Sequence, residues 1–270
     1  MNGPIASEVF DLSGSVVWVT GSSRGIGAGV ARHLARHGAA VVVHGRSVES
    51  AEAIASSVGD LGADVLRVHG DVRDEAAVDT MVAAIVERFG RLDHVVANVG
   101  GAAFGPIDDT AGARFARQLE LNLVSAYVTL RAAHPLLVSA RGSAVMISAT
   151  AATNPTPSFA GYGAAKSGVQ HLAATMAAEW GPDVRVNAVS PGLIRTDGSM
   201  AAVFRGSDEL AARAGATTAV GRIGEPDDIA WACHYLLSSA AAFVSGTTLL
   251  VDGGPTEGPT QRILRAIGGD

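Results

Sequence analysis

Seven short runs of β-branched and aliphatic residues recur along the chain. They are SVVWVT (15–20), AAVVVH (39–44), ADVLRVH (63–69), LDHVVAN (92–98), SAVMIS (143–148), VRVNAVS (184–190) and TTLLVDGG (247–254). Their apolar positions mostly do not alternate with polar ones, which predicts strands buried on both faces. Between them, apolar residues return every three or four positions, the spacing of a helix with one covered side. GIGAGVARHLARHG (25–38) carries Val30 and Leu34 at that spacing and ends on Gly38. ESAEAIASSV (49–58) follows the second run. DEAAVDTMVAAIVERFG (74–90) opens on acids and stops at Gly90, as the helix dipole favours. Longer helices are predicted from about Ala111 to Val138 and over 161–180, and DDIAWACHYLLSS (227–239) reads as one more. Alternating strands and helices of this kind predict an α/β fold. The expected form is a Rossmann-type, doubly wound parallel sheet of about seven strands with helices on both faces. No composition break marks a linker, so residues 1–270 are read as one domain.

Composition narrows the partners. Apolar residues make up 48% of the chain and charged residues 17%, which suits a globular core and not a disordered or fibrous chain. The net charge of −6 argues against nucleic acid, whose binding normally leaves a basic patch. No charge-free apolar run approaches the ~18 residues of a membrane span. The start, MNGPIASEVFDLSG, lacks the basic and apolar regions of a signal peptide. Cys233 stands alone and reads as a small core residue. A cytoplasmic protein is expected.

Chemistry enters at TGSSRGIG (20–27), between the first strand and the first helix. Gly21, Gly25 and Gly27 lie where a tight turn brings backbone N–H groups against a ligand. Ser23, Arg24 and Ile26 complete the loop, and the helix start offers its positive end to a pyrophosphate. A turn with no ligand is the bland alternative. Folds that bind NAD tend to place an acid at the end of the second strand, where it holds the ribose 2′-OH. Here that end reads VVVHGRS and supplies Arg46 instead, with Arg24 opposite in the loop. Two guanidiniums would clasp a 2′-phosphate, so NADP(H) is favoured and NAD(H) possible.

VMISATAATNPTPSFAGYGAAKSG (145–168) reads as a strand that breaks into a loop and restarts as a helix. Tyr162 and Lys166 stand one helical turn apart, so both side chains can project from one face. Together with GDVRD (70–74), ANVG (97–100), LNL (121–123), NAVSPGLIRT (187–196), RIGEP (222–226) and LLVDGG (249–254), in that order, the chain resembles the short-chain dehydrogenase/reductase family from about Ser13 to Gly254. The resemblance implies interconversion of a ketone and a secondary alcohol by hydride transfer with a nicotinamide. It assigns Tyr162 as acid/base, Lys166 as its electrostatic partner, and Ser148 and Asn122 as the remaining members. Asp71 and Val72 would contact adenine, Asn98 would brace the sheet, and Pro191, Gly192, Ile194 and Thr196 would border the nicotinamide. An ammonium beside the phenol is expected to lower its pKa from ~10. Asn122 would hold a water linking Lys166 to solvent, or merely satisfy a helix kink. The resemblance also implies a homo-oligomer, tetramer or dimer, built on the helices near 111–138 and 161–180.

The serine departs from the family pattern. It usually stands thirteen positions before the tyrosine, which here is Ala149. Ser148 is one residue early and Thr150 one late. A one-residue slip turns a strand side chain to the other face unless a bulge re-aims it. Ser148 is therefore either a carbonyl-polarising donor or a hydroxyl that serves the backbone or touches the nicotinamide, in which case Thr150 is the alternative donor. That departure keeps a second function open, a dinucleotide-binding sensor or scaffold that catalyses little. Residues 197–220 would form a mobile substrate lid, with Met200, Val203, Phe204 and Leu210 lining a pocket or burying the lid helix. His33 and His37 stand four apart, but no third metal ligand is apparent near them, so no metal is expected. In the tail 255–270, Ile263, Leu264 and Ile267 either dock on a neighbouring subunit or belong to a loose end.

Overall fold

The computed structural model describes residues 6–255. A single turn of helix, α1 (Ala6–Val9), leads into a parallel sheet of seven strands. In chain order these are β1 (Val16–Val19), β2 (Ala40–Gly45), β3 (Val65–His69), β4 (His94–Ala97), β5 (Ser143–Ile147), β6 (Arg185–Pro191) and β7 (Thr248–Val251). Each lies within one of the seven predicted runs, except that β2 and β6 extend one residue further. Their spatial order is β3-β2-β1-β4-β5-β6-β7, so the order reverses between β1 and β4. Ligands bind at such a switch point, beyond the carboxyl ends of the strands.

Each crossover is helical: α2 (Gly25–Arg36), α3 (Val48–Gly59), α4 (Glu75–Phe89), α5 (Gly112–Leu119) running into α6 (Ser125–Ala140), α7 (Ala160–Trp180) and α10 (Pro226–Leu237). Two short helices, α8 (Asp197–Ala202) and α9 (Asp208–Gly215), sit between β6 and α10. The helix ends follow local chemistry. Asp74 caps α4 by accepting from the N–H groups of Ala76 and Ala77, and Gly90 ends it at φ 67°. Ser47 and Ser50 form a reciprocal cap on α3.

Alternate strand residues feed two cores. Val17, Val19, Val41 and Val43 pack under α2, α3 and α10, with Leu34, Ile54, Ile229 and Leu236. Trp18, Val42, Val95 and Met146 pack on the other face with Ile85, Leu130, Leu137 and Val169 of α4, α6 and α7. This double covering is the reason the strands lack a polar face. Gly112–Ala140 is long and apolar enough to cross a membrane by length and composition. In this fold its apolar side is spent on the sheet, where Val128, Leu130, Ala133 and Leu137 are buried.

The pairing of α2 with α10 corrects one expectation. His33 and His37 do have a third imidazole beside them, His234 of α10, and a ring nitrogen of each lies within 4.8 Å of the others. The sequence hid this because His234 is 201 residues away from His33. Cys233 is buried, as expected, and burial pushes its thiol up to about 12, which leaves it unreactive.

Candidate active site

The loop between β1 and α2 is shaped by backbone geometry that only glycine tolerates. Gly21 and Gly25 have φ of 64° and 57°. A Cβ on Gly27 would lie 2.5 Å from the carbonyl oxygen of Gly21 and from Nδ2 of Asn98. Gly27 thus holds the loop tight from behind, whereas Gly21, Ser23, Arg24, Gly25 and Ile26 line the cleft itself. No side chain caps the start of α2. Its first N–H groups remain open to an anion, and the helix dipole adds to that attraction.

Asn98, after β4, donates from Nδ2 to the carbonyls of Thr20 (3.0 Å) and Gly21 (3.1 Å). Its own N–H donates to the Thr20 hydroxyl at 3.1 Å. It therefore ties β4 to β1 across the switch point. His44, at the end of β2, gives the loop a second support that the sequence analysis missed. Its Nδ1 accepts from the Gly21 N–H at 2.9 Å, and its Nε2 donates to Gly70 O at 3.1 Å. Burial lowers its pKa, which keeps the imidazole in the neutral form this pattern requires. The signal was one polar residue inside an otherwise apolar strand.

The cleft has a volume of about 930 Å³. Arg24, Arg46, Ser47, Asp71, Val72 and Arg73 line it, as do Pro191, Gly192, Ile194 and Thr196, the last beside Gly25 of the glycine loop. Asp71 is engaged by Arg73, whose Nη2 lies 2.5 Å from its carboxylate, and that hydrogen bond lowers the Asp71 pKa. Arg73 was not anticipated. It adds a third guanidinium where two were expected. The positive-φ glycines, the uncapped helix start and the guanidiniums together fit a dinucleotide with its phosphates at the α2 end.

Tyr162 and Lys166 both reach this cleft from the first turns of α7. Lys166 is buried. Its Nζ donates to Ile147 O at 2.7 Å and lies 5.7 Å from the centroid of the Tyr162 ring. Burial lowers the lysine to about 8 and raises the phenol to about 12. The latter corrects the expectation of an acidified phenol. Desolvation of the hydroxyl is the cause, and Lys166 Nζ is directed to the carbonyl of Ile147.

Asn122 lies below the cleft, in a π-helical turn (Glu120–Val124) between α5 and α6. Its Nδ2 donates to Gly101 O and Gln118 O, both at 2.9 Å, and its Oδ1 accepts from the Gly101 N–H at 2.9 Å. The side chain thus satisfies the kink and pins the loop after β4. It also sits near the lysine: a Cβ on Gly100 would be 2.7 Å from Asn122 Oδ1 and 3.1 Å from Lys166 Nζ.

Ser148 turns its hydroxyl inward. Oγ donates to Lys166 O at 2.9 Å and accepts from Gln170 Nε2 at 3.1 Å. The strand end is extended without a bulge, so the one-residue slip has its normal consequence. Ser148 borders the cleft but gives its hydroxyl to the α7 backbone, and Ala149 beside it lines the cleft where the family places a hydroxyl. Thr150 begins a short 3₁₀ turn and is not among the residues lining the cleft. Gln170 was missed, although Tyr162, Lys166 and Gln170 follow a spacing of four along one helix face. In the lid region, Phe204 is buried and packs with Met200, Ala211 and Ile223, whereas Val203 and Leu210 are exposed. Residues 256–270, with Ile263, Leu264 and Ile267, lie outside the described residues.

The family model described as enoyl-(acyl carrier protein) reductase matches residues 21–256. The trans-4-hydroxycyclohexanecarboxylate dehydrogenase of Sinomonas cyclohexanicum is 35% identical over 264 residues, covering 95% of this chain and 98% of that protein. The NADP-dependent (R)-specific alcohol dehydrogenase of Lentilactobacillus kefiri is 34% identical over 251 residues, covering 91% and 98%. A 7α-hydroxysteroid dehydrogenase solved with NADH and 7-oxo glycochenodeoxycholic acid superposes with a TM-score of 0.88. It is 30% identical, with 94% of this chain and 99% of that one covered. This chain belongs to the short-chain dehydrogenase/reductase family. At the level of reaction class it is an oxidoreductase of alcohols and ketones that depends on a nicotinamide cofactor.

Proposed function

We propose that this short-chain dehydrogenase/reductase is an NADP(H)-preferring carbonyl reductase, also able to run as a secondary-alcohol dehydrogenase, with Tyr162 as its acid/base. One observation carries the reading: Tyr162 and the buried Lys166 come together in the same cleft that the phosphate loop and Pro191, Gly192, Ile194 and Thr196 line. The nicotinamide, when bound, supplies the hydride to the carbonyl carbon. Tyr162 gives its O–H proton to the oxygen that becomes an alkoxide, so the C=O π bond is replaced by C–H and O–H bonds. Burial raises the phenol in the free protein, so it carries its proton at neutral pH, and transfer of that proton relies on stabilisation of the phenolate that forms. Lys166, charged below about pH 8, favours the phenolate left behind. Asn122 keeps the Gly100–Gly101 loop and the lysine in register.

Preference for NADP(H) is supported by Arg24, Arg46 and Arg73 lining the cleft and by the absence of an acid at the end of β2. Asp71, the nearby carboxylate, is already engaged by Arg73. The related alcohol dehydrogenase from Lentilactobacillus kefiri is NADP-dependent. We further propose a homo-oligomer built on α5–α6 and α7, since α6 exposes Tyr127 beside Val124 at the end of the π turn.

Replacing Tyr162 by Phe tests the acid assignment. Reduction of a ketone panel, followed as NADPH oxidation, should fall by a factor of about 10²–10⁴, while NADPH affinity changes little. Retained turnover would overturn the assignment. One observation favours a second reading, a dinucleotide-binding sensor of weak activity: Ala149 stands where a polarising hydroxyl is expected. Tight NADPH binding by the unaltered protein with no turnover across the panel would select it.

A further inference from the structure

The imidazoles of His33, His37 and His234 converge on the side of the molecule remote from the cleft. His33 and His37 lie one turn apart at the end of α2, and His234 lies in the last turn of α10. One ring nitrogen from each falls within 4.8 Å of the other two. His33 Nε2 and His234 Nδ1 are 3.0 Å apart. Tetrahedral coordination with metal–nitrogen bonds of ~2.0–2.1 Å places ligand nitrogens about 3.3 Å apart. The His33–His234 pair therefore needs adjustment of only a few tenths of an ångström, and closing His37 onto it, from within 4.8 Å, takes a larger shift of that partly exposed ring.

Two of the rings are already oriented as ligands. His37 Nδ1 donates to His33 O at 2.8 Å, which leaves Nε2 with its lone pair. His234 Nε2 donates to Phe10 O at 2.6 Å, which leaves Nδ1 with its lone pair. A backbone carbonyl fixing the distal nitrogen is the outer support that metal-bound histidines typically have. The third ring, His33, uses Nε2–H to reach His234 Nδ1. Moving that proton to Nδ1 frees Nε2 without any net loss of a proton.

The electrostatic setting also favours a cation. The carboxyl ends of α2 and α10 meet here, and each contributes the negative end of its dipole. Arg36 opposes this from the same helix, which sets a moderate affinity. Trp231 covers the cluster, with ring centroids 4.4 Å from His33 and 5.1 Å from His37. His37 is only partly buried, which leaves a way in.

We propose that His33, His37 and His234 form a site for a divalent transition-metal ion of the zinc class, which clamps the carboxyl ends of α2 and α10 together. Three imidazoles suit Zn²⁺, Ni²⁺, Co²⁺ or Cu²⁺ and not the oxygen-seeking Mg²⁺ or Ca²⁺. The fourth position is left for water or a surface ligand. The twelve residues of α2 place this clamp about 17 Å from the phosphate loop. Its role is accordingly structural, and it is independent of the carbonyl chemistry.

The test uses untagged, EDTA-treated full-length protein titrated with ZnCl₂ by calorimetry and with CoCl₂ by visible absorption. One ion per chain should bind with a dissociation constant in the micromolar range or below. Co²⁺ should give the intense bands of a tetrahedral site, and Zn²⁺ should raise the melting temperature. His37→Gln, at the partly exposed position, should weaken binding at least tenfold while leaving NADPH-dependent turnover unchanged. His234→Gln should do the same to binding, and its circular dichroism will show whether it folds. Absence of stoichiometric binding by the unaltered protein would overturn the proposal, as would undiminished binding by His37→Gln.

Discussion

Ser148 shows how one residue's position decides its chemistry. Its hydroxyl is enclosed between Lys166 O and Gln170 Nε2, which holds the end of β5 against α7. Ser148→Ala should therefore cost about 1 kcal/mol of stability, the net worth of a buried hydrogen bond, and change kcat by less than about threefold. Ala149→Ser is the informative partner, because it returns a hydroxyl to the cleft at the family's usual position. If a missing donor limits the rate, kcat for ketone reduction should rise about tenfold or more, up to the roughly 10²–10³ that such a donor is worth. A loss of kcat on Ser148→Ala at unchanged melting temperature would show that the inward-facing hydroxyl reaches substrate after all. His44 makes the same point from the opposite side. Histidine in a buried strand is here a hydrogen-bonding prop for the phosphate loop and belongs to the site without offering a charge.

Among the elements, the start of α2 and the end of β2 act as a pair. The helix start supplies N–H groups and dipole, and the strand end supplies Arg46 and Ser47. Arg46→Ala should raise the Kd for NADPH by about tenfold or more while altering that for NADH by less than about twofold, measured by fluorescence titration. Such a selective loss is what a guanidinium on a 2′-phosphate gives. Equal losses for the two cofactors would remove Arg46 from that role. The π turn between α5 and α6 is the other functional element. Asn122 sits in this widened turn, and both the oxygen and the nitrogen of its side-chain amide engage the backbone of Gly101. The long helix was legible in the sequence, but the π turn was not, because nothing in the local apolar spacing distinguishes it from a continuous helix.

For the whole molecule, the decisive property is how deeply Lys166 is buried at the wall of the cleft. Two packed cores enclose the sheet, and Lys166 is buried at the cleft wall, where its Nζ donates to the carbonyl of Ile147. Because burial lowers its pKa to about 8, the ammonium is lost as pH rises through that value. The pH profile of kcat/KM for reduction, which reports the free enzyme, should fall above about pH 8. A profile flat to pH 10 would contradict an electrostatic role for Lys166. The sign for stability is opposite. Between about pH 8 and the ordinary lysine value of 10.5 the unfolded chain binds more protons, so the Lys166 contribution to stability rises with pH there. Below pH 8 both states carry the charge, and the burial cost is present in full.

The sequence by itself determined the seven strands, the crossover helices, the glycine loop and the Tyr162–Lys166 pair, because these rest on local periodicity and on spacings within one turn. Tertiary structure alone decided which way the Ser148 hydroxyl points and that burial outweighs the nearby ammonium at Tyr162. It also brought Arg73 to the cleft and His234 beside His33. Each of these depends on solvent exclusion or on contacts between segments far apart in the chain. Local pattern carries no record of either, since the same residues in the same order can face water or one another until the sheet and its helices close around them.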